Sequence, residues 1–315
     1  MADATDIAIA VEDPGAANFV AFLPDELQKR GISSRLFACG RAVEHLSRFS
    51  KICEILPQGN PESILNQIKP RCVLGGTSAN LDSPVLGLIR AARNQGISTV
   101  GVVDALMNAD MRFRGRTENP LEFAPDWLLV PSRTLMESFV GLGFAADRIR
   151  SIGTPHFDFL KKQRTLLEGN RQALRNKLLP EAGNRPVFLF AAEASVRTKQ
   201  QPREWVESYE LRGSGSPGRT ETILEELRAA FVRTGCKPYF IIRVHPRDTP
   251  DDYASFLDIA DEISHGGDPY ELISAVDCVL GITSMMLLES VMLGRPTLAV
   301  IPRRVETEWL PTISA

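Results

Sequence analysis

Short apolar runs rich in Val, Ile and Leu recur along the chain, each followed by a stretch whose apolar residues fall every three or four positions. A continuous apolar run between turn residues is the pattern of a strand buried on both faces, and the wider spacing is that of a helix burying one stripe. In the first half this predicts strands at 7–11, 34–38, 51–56, 71–75, 98–103, 127–130 and 149–152, with a helix after the 12–15 loop through about 29 and helices at 62–68, 84–94 and 133–142. Gly31 and Gly96 stand where a glycine ends a helix without strain. A polar helical segment, 156–179, is closed by Pro180 and Gly183 and reads as a connection. The alternation then restarts, with strands at 186–191, 238–244, 276–282 and 296–301 and helices at 220–234, 251–259, 269–275 and 285–293. Residues 200–219 read as a long insertion after the first strand of this half.

Strands that alternate with helices at this spacing imply parallel, doubly wound sheets. A chain of 315 residues suits two ordinary domains. The expected fold is therefore α/β, with two Rossmann-like domains facing each other across a cleft: an acceptor-side domain at 1–155, a connection at 156–183 and a nucleotide-side domain at 184–315.

Composition narrows the function. A net charge of −3 disfavours nucleic acid as the main partner, since a phosphate backbone selects a basic surplus. No apolar stretch is long enough for a membrane span, which leaves peripheral membrane association open. Acidic residues near the start, Asp3 and Asp6, stand where a signal peptide needs basic ones, so a cytoplasmic location is expected. Five scattered cysteines form no metal-ligand pair and no disulfide framework, and no Asp-x-Asp motif offers a divalent ion a loop site. The expected site holds no metal and no cofactor. The oligomeric state is left open.

The candidate chemistry lies at predicted strand ends, where open α/β sheets bind ligands. Thr283 and Ser284 follow one strand and begin a helix, so hydroxyls and free N–H groups meet there as in a phosphate site, although either residue could simply cap the helix. Glu289 follows within two turns, in reach of a ribose. Arg243-Val244-His245-Pro246 ends a second strand, with Arg247 beyond, and His245 could donate to a phosphate. Ser195, Arg197 and Lys199 follow the first strand of this half, where their charge could stabilise a leaving nucleotide without a metal. In the first half Glu12-Asp13-Pro14-Gly15 joins strand to helix. Asp13 is the first candidate general base, or a helix cap before Pro14, and Asp104, ending a later strand, is the reserve. The small Gly15 would let a ligand approach. Gly75-Gly76-Thr77-Ser78 and the alternating Arg112, Arg114 and Arg116 belong to neighbouring loops.

The blocks around His245 and from 275 to 296 resemble the C-terminal half of GT-B glycosyltransferases, in the His-Pro branch of bacterial sialyltransferases, capsule Kdo transferases and CDP-glycerol glycerophosphotransferases. The segment 283–296 is also similar to the UDP-N-acetylglucosamine 2-epimerases. The resemblance implies that His245, Thr283 and Ser284 hold a nucleotide phosphate; because all three follow predicted parallel strands of one sheet, they are expected within about one phosphate's reach of each other. It also implies that Glu289 contacts sugar or ribose. Two departures stand out: the sialyltransferase acid motif is replaced by Glu12-Asp13-Pro14-Gly15, and the helices that usually cross back after the second domain do not follow Pro311. The expected activity is a metal-independent glycosyltransferase passing a sugar from a nucleotide donor to an acceptor hydroxyl in surface polysaccharide assembly. The alternatives are a nucleotide-sugar 2-epimerase, whose further first-half acids and histidines are not placed here, and a non-catalytic nucleotide-sugar binding protein.

Overall fold

The computed structural model describes residues 5–78, 80–104, 108–193, 218–246 and 248–309. They form two units, Met1–His156 and Phe157–Ala315.

In the first unit β1 (Ile7–Val11), α1 (Pro14–Val20), α2 (Leu23–Lys29), β2 (Ser34–Ala38), α3 (Ala42–Ser47), β3 (Glu54–Ile55) and α4 (Pro61–Ile68) precede β4 (Cys72–Gly76). Then come α5 (Pro84–Asn94), β5 (Ser98–Val102), β6 (Trp127–Val130), α6 (Arg133–Gly141) and β7 (Ile149–Ser151). The seven strands are all parallel, in the order β3-β2-β1-β4-β5-β6-β7. Side chains alternate across the sheet: Ala8, Ala10 and Val73 join the core under α4, α5 and α6, whereas Ile9, Val11 and Leu74 join the one under α1, α2 and α3. Pro24 splits the single helix expected between the 12–15 loop and about 29, because its ring cannot donate into the preceding turn. Ser132, at the end of β6, caps α6 by accepting from the Leu135 N–H at 3.2 Å.

The second unit opens within α7 (Pro155–Gly169), followed by α8 (Arg171–Leu178), β8 (Val187–Ala191), α9 (Arg219–Thr234) and β9 (Tyr239–Arg243). Then come β10 (Glu262–Ser264), α10 (Pro269–Ala275), β11 (Cys278–Gly281), α11 (Met285–Met292) and β12 (Thr297–Ala299). The five strands are again parallel, in the order β10-β9-β8-β11-β12. The segment expected as a connection packs within this unit. Arg171 and Arg175 of α8 both bind Asp277 at the start of β11, at 2.6 and 2.9 Å. Residues 251–259, expected as an α-helix, instead form a tight 3₁₀ turn at Pro250–Phe256, closed by a reciprocal Thr249–Asp252 capping box.

The packing of α1 against α3 carries a titration of its own. His45 Nε2 lies 2.6 Å from Asn18 Oδ1, and its ring stands edge-on to Phe49. Burial first, then the nearby Arg48 and His156, push the His45 pKa down from 6.5 to about 4. The folded form holds the ring neutral, so the stability it contributes is intact above 6.5 and lost as the pH falls toward 4. The loss amounts to at most about 3 kcal/mol. His45→Gln should flatten the fall in melting temperature over that window, and an equally steep fall in the variant would refute the assignment.

Candidate active site

Parallel strands place the ends of β1, β4 and β5 side by side, with Gly76 opposite Val102. Asp104 follows β5, partly buried, and its carboxylate lies against the start of α1: a Cβ on Gly15 would fall 1.8 Å from Asp104 Oδ2. Ala16 also fits closely against Gly76, where a Cβ would fall 2.6 Å from the alanine methyl. The small run Gly15-Ala16-Ala17 thus brings the helix down onto the sheet and onto Asp104. The Thr77 hydroxyl donates to Asp104 Oδ1 at 3.5 Å, the long limit for such a bond. Burial raises the Asp104 pKa; Arg112 opposes the shift and Asp13 adds to it. A carboxyl held this way keeps its proton to a higher pH than an exposed one, which suits an acid that must also act as a base.

Asp13 occupies the N-cap position of α1, but its side chain makes no capping bond. Glu12, one residue earlier, is buried, and its Oε1 accepts from Asn80 Nδ2 at 2.7 Å, tying β1 to the loop that carries Thr77. Of the three loop arginines, Arg112 acts on Asp104, Arg114 is partly buried, and Arg116 pairs with Asp82.

In the second unit the strand ends run β9, β8, β11. His245 follows β9 and is half-buried, while Thr283 and Ser284 follow β11. The two strands are two spacings apart, about 10 Å at the backbone, with the end of β8 between them. Glu193 stands there. Its Oε1 accepts from the Thr283 N–H at 2.5 Å and from Thr283 Oγ1 at 2.7 Å, and its Oε2 accepts from Arg219 Nη1 at 2.6 Å. The other Arg219 nitrogen, Nη2, reaches Thr283 Oγ1 at 3.3 Å and also Glu306, which Arg303 binds in turn. Glu306 is fully buried. Ser284 caps α11, accepting from the Met286 N–H at 3.3 Å, and Glu289 accepts from Tyr270 OH at 3.5 Å. Arg243 is buried at the β9–β10 seam, where it donates to Ser264 Oγ at 3.0 Å and to the Gly267 carbonyl at 3.4 Å.

Ser195, Arg197, Lys199 and Arg247 lie outside the described residues. Among the described residues no group of three His, Cys, Asp or Glu side chains could hold a metal ion, and no helix is long and apolar enough to cross a membrane. The sequence reading gave no site role to Glu193, Arg219, Arg303 or Glu306. Glu193 could have been suspected, because it ends an apolar strand on the same edge as His245 and Thr283. Glu306 sits in a short polar segment with no periodicity and carries no such signal.

Solved structures share this fold over nearly the whole chain. The Neisseria meningitidis UDP-GlcNAc 2-epimerase bound to UDP-GlcNAc matches 96% of the chain, and 85% of its own length is covered, at 17% identity and a TM-score of 0.66. The fold is that of the UDP-GlcNAc 2-epimerases. The Methanocaldococcus jannaschii enzyme matches at 15% identity and a TM-score of 0.65, over 96% of this chain and 87% of that one. S. aureus MnaA, solved with UDP, matches at 12% identity and a TM-score of 0.66, over 98% and 84%. No protein-family model matches the chain, and no curated protein matches it significantly. These likenesses correct the expectation of a glycosyltransferase, because they favour 2-epimerases, the reading held as its alternative. The segment 283–296 resembles both branches and did not discriminate between them, and the transferase expectation rested on the His-Pro motif at His245.

Proposed function

We propose that this protein is a nucleotide-sugar 2-epimerase acting on a UDP-N-acetylhexosamine, with Asp104 as the group that moves the proton. The observation that carries the reading is the Asp104 carboxyl, partly buried at a strand end against α1, with its pKa raised by burial. Inverting C2 requires the C2–H bond to break and re-form on the other face. The neighbouring C1 bears the diphosphate, so loss of the C2 proton together with UDP leaves a C1–C2 double bond, and return of both gives the epimer. No electrons are gained or lost, and no acceptor is consumed. Asp104 would take the C2 proton from one face, and the proton that re-forms the C2–H bond on the other face comes from a second acid or from water on that face.

The departing diphosphate needs anion donors, and the second unit supports that role with Thr283, the cap of α11 and His245. A span of about 10 Å between the strands bearing His245 and Thr283 suits a diphosphate better than a single phosphate group. The structural relatives solved with UDP-GlcNAc or UDP support the choice of nucleotide. The test is incubation with UDP-N-acetylglucosamine alone in deuterium oxide. Deuterium should enter at C2 and the manno epimer should accumulate without any acceptor. Unlabelled, unchanged substrate would overturn the reading.

A further inference from the structure

Glu193 occupies donors that the proposed function assigns to a ligand. Its two oxygens take a backbone N–H just before α11, the hydroxyl of the same residue and one arm of the Arg219 guanidinium. Backbone N–H, hydroxyl and guanidinium are also the groups that satisfy a phosphate. Among the described residues Arg219 and Arg303 face Glu193 and Glu306, two charges of each sign, at 2.6 Å for Arg219–Glu193. A diphosphate arriving with Glu193 in place would set like charges side by side among charges that already cancel, an arrangement that is strongly unfavourable. With Glu193 withdrawn, Arg219, Arg303 and Glu306 together carry about +1, and three donors point at one place.

The two acids are not equivalent. Glu306 is fully buried between two arginines and touches neither the Thr283 N–H nor its hydroxyl, so it balances the arginines wherever the ligand is. The Glu193 side chain is 17% exposed, so unlike Glu306 it already meets solvent. We propose that Glu193 is an internal anion that competes with the ligand's phosphate for Thr283 and Arg219 and so sets the affinity of the nucleotide site. This rests on the nucleotide reading above. It adds that binding displaces a carboxylate and that departure of the nucleotide lets the carboxylate return. For an enzyme whose diphosphate leaves and re-adds in each turnover, such a competitor keeps the bound anion exchangeable.

The test is calorimetric titration of inorganic pyrophosphate, and separately of UDP, into the wild type, Glu193→Gln, Glu193→Ala and Glu181→Gln. Glu181 is exposed in the same unit and controls for net charge. Both Glu193 variants should bind pyrophosphate at least about tenfold more tightly than the wild type, with Glu181→Gln unchanged. Circular dichroism melts identify any variant that is unfolded, and two different replacements keep the comparison open if one fails. Unchanged or weaker pyrophosphate binding in the folded Glu193 variants overturns the proposal, as does an equal gain in Glu181→Gln. Pyrophosphate carries neither base nor sugar. Tightened pyrophosphate binding without turnover of UDP-N-acetylglucosamine would therefore refute the epimerase reading and leave this one standing.

Discussion

Asp104→Asn is expected to lower turnover of UDP-N-acetylglucosamine by about a thousandfold, within the range that general acid–base help contributes, while leaving UDP affinity within about twofold. The amide keeps the shape that fits against Gly15 and can still accept from Thr77, so packing survives; it cannot release or take up the proton. Stability supplies an independent check. The folded pKa of Asp104 is raised, so its contribution is intact below the ordinary carboxylate range and is lost as the pH rises through the raised value. Asparagine carries no such charge, and the variant should therefore gain on the wild type at neutral pH and show no gain in acid. Steady-state rates, calorimetry with UDP and melts at both ends of the pH range decide the matter. If Asp13→Asn stops turnover and Asp104→Asn does not, the proton belongs to Asp13, whose side chain is not committed to capping α1.

Glu306→Ala should remove about 3–5 kcal/mol of stability, as expected when one member of a buried ion network is deleted. Glu306 is fully buried and bridges Arg219 and Arg303, itself 5% exposed. Without the carboxylate two guanidinium groups lose their shared counter-charge. Denaturant unfolding of the second unit, followed beside that of the wild type, reads the loss. A change below about 1 kcal/mol would mean that solvent reaches the arginines and that the network contributes little.

Much of this architecture was legible from local pattern. The runs at Ile7–Val11, Cys72–Gly76 and Cys278–Gly281 are apolar along their length because parallel strands are covered on both faces. Pro84–Asn94 has a clean helical stripe, and its bounds came out as expected. Elements without such a signal were missed. β10 is only Glu262–Ser264, alternating polar and apolar at a sheet edge, and α3 is a six-residue helix with a polar half. Placement of His245, Asp104 and Thr283 at strand ends was likewise readable, since a strand followed by a turn residue announces its own end.

The chain's pattern by itself determined two parallel α/β units and put the reactive side chains at strand ends, because hydrophobic periodicity and turn residues are local properties. Only the tertiary structure decided strand order, and with it the insertion of β8 between β9 and β11 that sets Glu193 beside Thr283. Strand order depends on which crossovers bury the most surface, a property of the whole sheet that no single segment encodes. The same holds for charge. Asp104 is marked in the sequence only by its place after a strand, and its raised pKa comes only when folding lays it against Gly15; Glu306 becomes an anchor only once Arg219 and Arg303 close around it.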